Sequence, residues 1–95
     1  MGIALVGGMD RMKKSYEKEA RKAGLKLKHF TGKERGIGQR IGNVGYVVLL
    51  TDKLSHAARK EVMSHAKSSS IPVYQFHSSG LSTVRDCFHR VCKMQ

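Results

Sequence analysis

What most constrains this chain is the alternation of short, unbroken apolar runs with stretches whose apolar residues recur every three or four positions. Ile3 to Val6 leads into Gly7 and Gly8, and Tyr46 to Leu50 places five apolar residues in a row. Runs of this length suit strands covered on both faces inside a parallel sheet. Behind Asp10, a candidate cap, Met12, Tyr16, Ala20 and Ala23 recur at helical spacing and stop at Gly24. A second helix is expected from about His56 to Lys67, burying Ala58, Val62 and Ala66 and ending in Ser68 to Ser70. A third is expected from Leu81 to Lys93, burying Leu81, Val84, Phe88 and Val91.

Two further strands complete the pattern. Leu25, Leu27 and His29 alternate with Lys26 and Lys28, as in an edge strand with one wet face, and Ile71 to Phe76 tolerates Pro72 near its start. From Thr31 to Gly45 five glycines surround the apolar anchors Ile37, Ile41 and Val44, so a loop with at most a short, glycine-weakened helix is expected. The order βαβ(α)βαβα predicts an α/β fold: a small, doubly wound, Rossmann-like sheet of four parallel strands in the order 2-1-3-4, with helices on both faces.

Length and charge narrow the function classes. The 95 residues fit one domain, residues 1–95, with a thin stability margin that self-association into a homo-oligomer would improve. No apolar run approaches a membrane span, and Gly2 to Gly8 is too short for a secretory signal, so a soluble, cytoplasmic protein is expected. Cys87 and Cys92, on different faces of one helix, read as reduced thiols in or beside the core. The formal net charge is +11, and between Asp10 and Arg40 eleven basic residues face four acids. Such a field concentrates phosphorylated or polyanionic partners.

In the 2-1-3-4 order the chain winds away from strands one and three in opposite directions, leaving a crevice at their carboxyl ends where ligands bind in such sheets. Three polar turns should converge there: Gly7-Gly8, then Thr51, Asp52, Ser55 and His56, then His77, Ser78, Ser79 and Gly80. Glycines admit close backbone approach, hydroxyls donate, and helix amino-termini offer unpaired amides, a set suited to an anion such as phosphate. The plainer reading is that Ser55 and Ser79 cap helices and the glycines only make the turn. Asp52 would repel phosphate, so a hydrogen-bonded structural role or a ribose contact is expected of it, with a solvated cap as the alternative. His56 and His77 could meet an anion or serve as acid or base. His65 and His89 read as surface residues, and no histidine or cysteine pair has metal-motif spacing. Gly36, Gly38 and Gly42 precede a strand and so do not form a dinucleotide fingerprint. With Lys33, Arg35 and Arg40 they form a candidate basic flap, or else a solvated loop.

These turns, taken with the strand ending Val6-Gly7-Gly8, the second strand near His29, Tyr46 to Leu50, Pro72, and Ser79 to Ser82, resemble the bacterial family catalogued as domain of unknown function 2325. The resemblance spans nearly the whole chain and implies a compact Rossmann-like domain with no settled activity. The glycine-rich segment departs from it, since relatives are expected to carry a more regular helix there.

The favoured expectation is non-catalytic sensing or sequestration of a phosphorylated small molecule, most simply a nucleotide, with no cofactor. The first alternative is nucleic-acid binding through Lys13, Lys14, Arg21, Lys22, Lys26 and Lys28, although six aromatic residues, several of them in core positions, support little base stacking. The second is a small enzyme using His56 or His77 oriented by Asp52, against which stands the absence of a nucleophile elbow, a phosphate-binding lysine loop or paired carboxylates.

Overall fold

The computed structural model describes residues 2–93, the Lys53 side chain excepted. Met1, Met94 and Gln95, which the one-domain expectation also takes in, lie outside the described residues. In chain order the elements are β1 (Gly2–Gly7), a 3-10 turn (Asp10–Met12) running into α1 (Lys13–Lys22), β2 (Lys26–Phe30), α2 (Ile37–Ile41), β3 (Tyr46–Leu50), a second 3-10 turn (Thr51–Lys53), α3 (His56–Ser68), β4 (Val73–Phe76) and α4 (Leu81–Lys93). The four strands form one parallel sheet in the order β2-β1-β3-β4, as expected.

Side-chain alternation in the two central strands divides the core in two. Ile3, Leu5, Val48 and Leu50 pack under α1 and α4 with Tyr16, Ala20, Val84, Phe88 and Val91. Ala4, Val6, Val47 and Leu49 pack under α2 and α3 with Ile37, Ile41 and Val62. These are the residues that make β1 and β3 read as unbroken apolar runs: both faces of each strand are covered. A fully buried side chain of this kind, Phe88 for example, stabilises the fold by about 1.5–3 kcal/mol. The edge strands are wetter, with Lys26 and Lys28 exposed on β2 and Gln75 on β4.

Several local expectations are corrected. Asp10 does not cap α1; the N-cap of the 3-10 turn is Met9, without a side-chain hydrogen bond, because the chain enters the helix through that tighter turn. Leu81 is only half-buried, at the mouth of the core. His65 is half-buried, its Nε2 donating to the Gly42 carbonyl at 3.3 Å, because the end of α2 comes to rest on α3. Cys92 is exposed, its Sγ–H donating to the Ala23 carbonyl at the end of α1 at 3.4 Å, while Cys87 is buried. Burial pushes the Cys87 thiol up to about 11, with Arg90 opposing, so it stays protonated and unreactive at neutral pH. No helix among the described residues is long and apolar enough to cross a membrane.

Candidate functional site

The carboxyl ends of β1 and β3 lie side by side, with Gly7 opposite Leu50. Gly7 has φ +103°, and a Cβ there would stand 2.5 Å from the Leu50 carbonyl oxygen. Gly8, at φ +82°, would press a Cβ to 2.9 Å from the Tyr16 hydroxyl. The first turn therefore needs both glycines, one for the approach of β3 and one for that of α1. His29 reaches over from β2, its Nε2–H donating to the Gly7 carbonyl at 2.9 Å. Its ring stands edge-on to Tyr16, with centroids 5.3 Å apart.

Tyr16 links this turn to the last one. Its hydroxyl donates to the Ser79 carbonyl at 2.7 Å, across 63 residues of sequence, and both residues are buried. Burial pushes the Tyr16 phenol above its ordinary value; a hydrogen bond from the Met9 backbone opposes this and the negative charge of Asp52 adds to it. Asp52 in turn accepts from the Ser79 amide at 3.1 Å and from the Ser79 hydroxyl. Thus Gly8, Tyr16, Asp52 and Ser79 meet above the α1/α4 face.

The meeting is internally satisfied. Asp52 occupies the donors that Ser79 would otherwise offer an outside anion, giving it the hydrogen-bonded structural role. Gly80 donates its amide to the Ser78 hydroxyl at 3.2 Å. Ser55 caps α3, accepting from the Ala58 amide at 3.2 Å, and His56 is exposed in the first turn of that helix. Neither Ser55 nor His56 joins the Asp52–Ser79 cluster through a described contact. Nor does Asp52 orient a histidine: its carboxylate faces Ser79, while His77 Nδ1 lies 3.1 Å from the Thr51 hydroxyl.

Thr51 and Asp52 are adjacent in the 3-10 turn after β3 yet bond to different groups, Asp52 to Ser79 and Thr51 to the Phe76 carbonyl and the His77 ring. On the α3 side, Thr51 and His77 line a recess of about 110 Å³ together with Arg59 and Gln75. Thr51 Oγ1 lies 3.3 Å from the Phe76 carbonyl, and Arg59 Nε donates to Gln75 Oε1 at 3.1 Å. Sequence reasoning missed Arg59 and Gln75, as it missed the roles of Tyr16 and His29. A signal existed for two of them: Arg59 follows the buried Ala58 at the margin of the α3 stripe, and Gln75 interrupts an apolar strand.

The glycine-rich segment contains a five-residue helix, α2, whose Ile37 and Ile41 enter the core. Lys33, Arg35 and Arg40 are exposed, but the backbone that carries them is tied down. Glu34 accepts from the Thr31 and Gly32 amides, each at 2.9 Å, and Gly38 donates to Glu61 of α3 at 2.7 Å. Desolvation pushes the Glu34 carboxyl up, yet these amides and the Thr31 hydroxyl outweigh it and hold it below its ordinary value. Of the six basic residues grouped for nucleic-acid contact, Lys22 lies 3.5 Å from Glu19 and Lys28 donates to the Ile41 carbonyl at 3.3 Å, while Lys13, Lys14, Arg21 and Lys26 are exposed. Among the described residues no cluster of three His, Cys, Asp or Glu is placed to hold a metal ion.

The backbone arrangement has a counterpart among solved structures. A de novo designed Rossmann fold protein superposes with a TM-score of 0.66 at 16% sequence identity, covering 96% of each chain. That likeness carries the fold and nothing more. No curated protein matches the chain. The sequence itself is more informative about kinship: the model of a family described as an uncharacterized protein conserved in bacteria (DUF2325) matches residues 2–91, nearly the whole chain, and the chain belongs to that family.

Proposed function

We propose that this protein binds, without catalysis, an anionic phosphorylated small molecule at the carboxyl rim of its sheet, as a sensor or a sequestering protein, with a nucleotide or nucleotide-derived signal as the simplest ligand. The observation that carries the reading is the meeting of polar turns along the carboxyl rim beside the β1/β3 switch point, where the residues after β3 and β4 leave a recess lined by Thr51, Arg59, Gln75 and His77 with no carboxylate among them. Sheets of this kind bind ligands at that place, and the net charge of +11 favours an anion.

The test is a thermal-shift panel of nucleotides and other phosphorylated compounds on the full chain. A true ligand at about 100 times its dissociation constant adds roughly 2.7 kcal/mol of stability. If no phosphorylated compound moves the melting temperature while DNA or RNA binds with a steep salt dependence, the exposed Lys13, Lys14, Arg21 and Lys26 carry the function instead. Native mass spectrometry adds the mass of any retained ligand and the subunit count.

A further inference from the structure

Two places on the rim could receive the negative charge of such a ligand, and they are not equivalent. Above α1 and α4 the donors of Ser79 are held by Asp52, so an incoming phosphate would meet a fixed carboxylate. On the α3 side the recess between Thr51, Arg59, Gln75 and His77 has no carboxylate in its lining. Two of the other recesses carry an acid, Glu61 between α2 and α3 and Glu17 beside β2. A third, beside α4, is walled largely by Tyr74, Phe76, Cys87 and Val91.

Resting on the binding function proposed above, we infer that the Thr51/Arg59/Gln75/His77 recess is the phosphoryl subsite, taking one terminal phosphate group and leaving the rest of the ligand on the rim outside it. Arg59 has one N–H committed to Gln75 Oε1 at 3.1 Å. This fixes the plane of the guanidinium and leaves its terminal N–H groups to form the paired hydrogen bonds that suit a phosphate. Because an arginine can only donate, Gln75 must turn its carbonyl to Arg59, and its amide N–H groups remain as further donors. The Thr51 hydroxyl and the His77 ring, 3.1 Å apart, form the opposite wall. At about 110 Å³ the recess is well below the ~300 Å³ at which pockets begin to enclose a whole drug-sized ligand, so its size fits a single small group.

The test is titration of inorganic phosphate into the full chain, followed by amide chemical shifts, with Arg59→Ala, Arg59→Lys and Lys60→Ala compared. Lys60 is the exposed neighbour on α3 and does not line the recess, so its removal takes away the same charge without the fork. Expected are shifts centred on Thr51, Arg59, Gln75 and His77, at least tenfold weaker binding in Arg59→Ala, an intermediate loss in Arg59→Lys, and a change within about twofold in Lys60→Ala. Equal weakening by Arg59→Ala and Lys60→Ala would reduce the effect to the general field and overturn the subsite, as would shifts centred on Gly8 and Ser79. A nucleoside monophosphate that stabilises wild type and Arg59→Ala equally would overturn the subsite alone and leave the binding function standing. If neither phosphate nor any phosphorylated compound binds wild type, both fall.

Discussion

The two sides of the carboxyl rim both gather polar side chains from the strand ends and differ in how those side chains are used. On the α1/α4 side, Tyr16, His29, Asp52 and Ser79 use their polar atoms on one another and on the backbone of the first and last turns. On the α3 side, Arg59 and Gln75 spend one N–H on each other and keep the rest beside a gap that Thr51 and His77 also line, the Thr51 hydroxyl donating to the Phe76 carbonyl. Convergence of polar turns does not by itself leave donors free: those of Ser79 are taken by Asp52. What distinguishes the two is whether a carboxylate of the chain has already neutralised the donors.

This contrast can be broken most directly at the first turn. Gly7→Val should cost more than about 4 kcal/mol and leave little folded protein by circular dichroism, since it combines an unfavourable φ with a backbone clash. Tyr16→Phe removes the donor to a buried carbonyl and should lower stability by about 1–3 kcal/mol in urea unfolding. A value near zero would mean that the α1/α4 side is not locked through Ser79. Arg59→Ala, by contrast, should change stability by no more than about 0.5 kcal/mol while it weakens phosphate binding, because the side chain is only part-buried and its hydrogen bond to Gln75 is exposed to solvent.

A pH experiment sharpens the same division. Glu19, nearly buried between α1 and α4, is held below its ordinary value of 4.5, first by the hydrogen bond from Arg85 Nε at 2.9 Å, against the effect of burial, with the charges of Arg85 and Lys22 helping. Its folded pKa is depressed, so its contribution to stability is present above about pH 4.5 and is lost as pH falls through the folded value. Wild type should thus exceed Glu19→Gln in stability at pH 7, and the gap should close under acid; a gap that is constant with pH would mean the carboxylate is not paired in solution.

Much of this was legible in the sequence. The unbroken runs of β1 and β3 announced central strands because burial on both faces removes any reason for alternation, and the strand order followed from the helices between them. The meeting of Gly8, Asp52 and Ser79 was also within reach, since each sits where a strand ends. What could not be read was the use made of the meeting. Tyr16 looks like any apolar stripe residue, and nothing in its spacing says that its hydroxyl ends on a carbonyl 63 residues away. Arg59 and Gln75 are 16 residues apart, and they become neighbours only because β4 lies beside β3 with Gln75 opposite Leu49. Short polar side chains also have two ways to be satisfied, by the chain or by a ligand, and sequence does not choose between them. Ser55 shows the first outcome plainly.

The divergence of Thr51 and Asp52 has a mechanical consequence. A single peptide unit joins the wall of the α3-side gap to the acceptor that anchors the start of α4. The Thr51 hydroxyl and the Asp52 carboxylate thus share one backbone link, and neither can be displaced far without straining the hydrogen bonds held by the other.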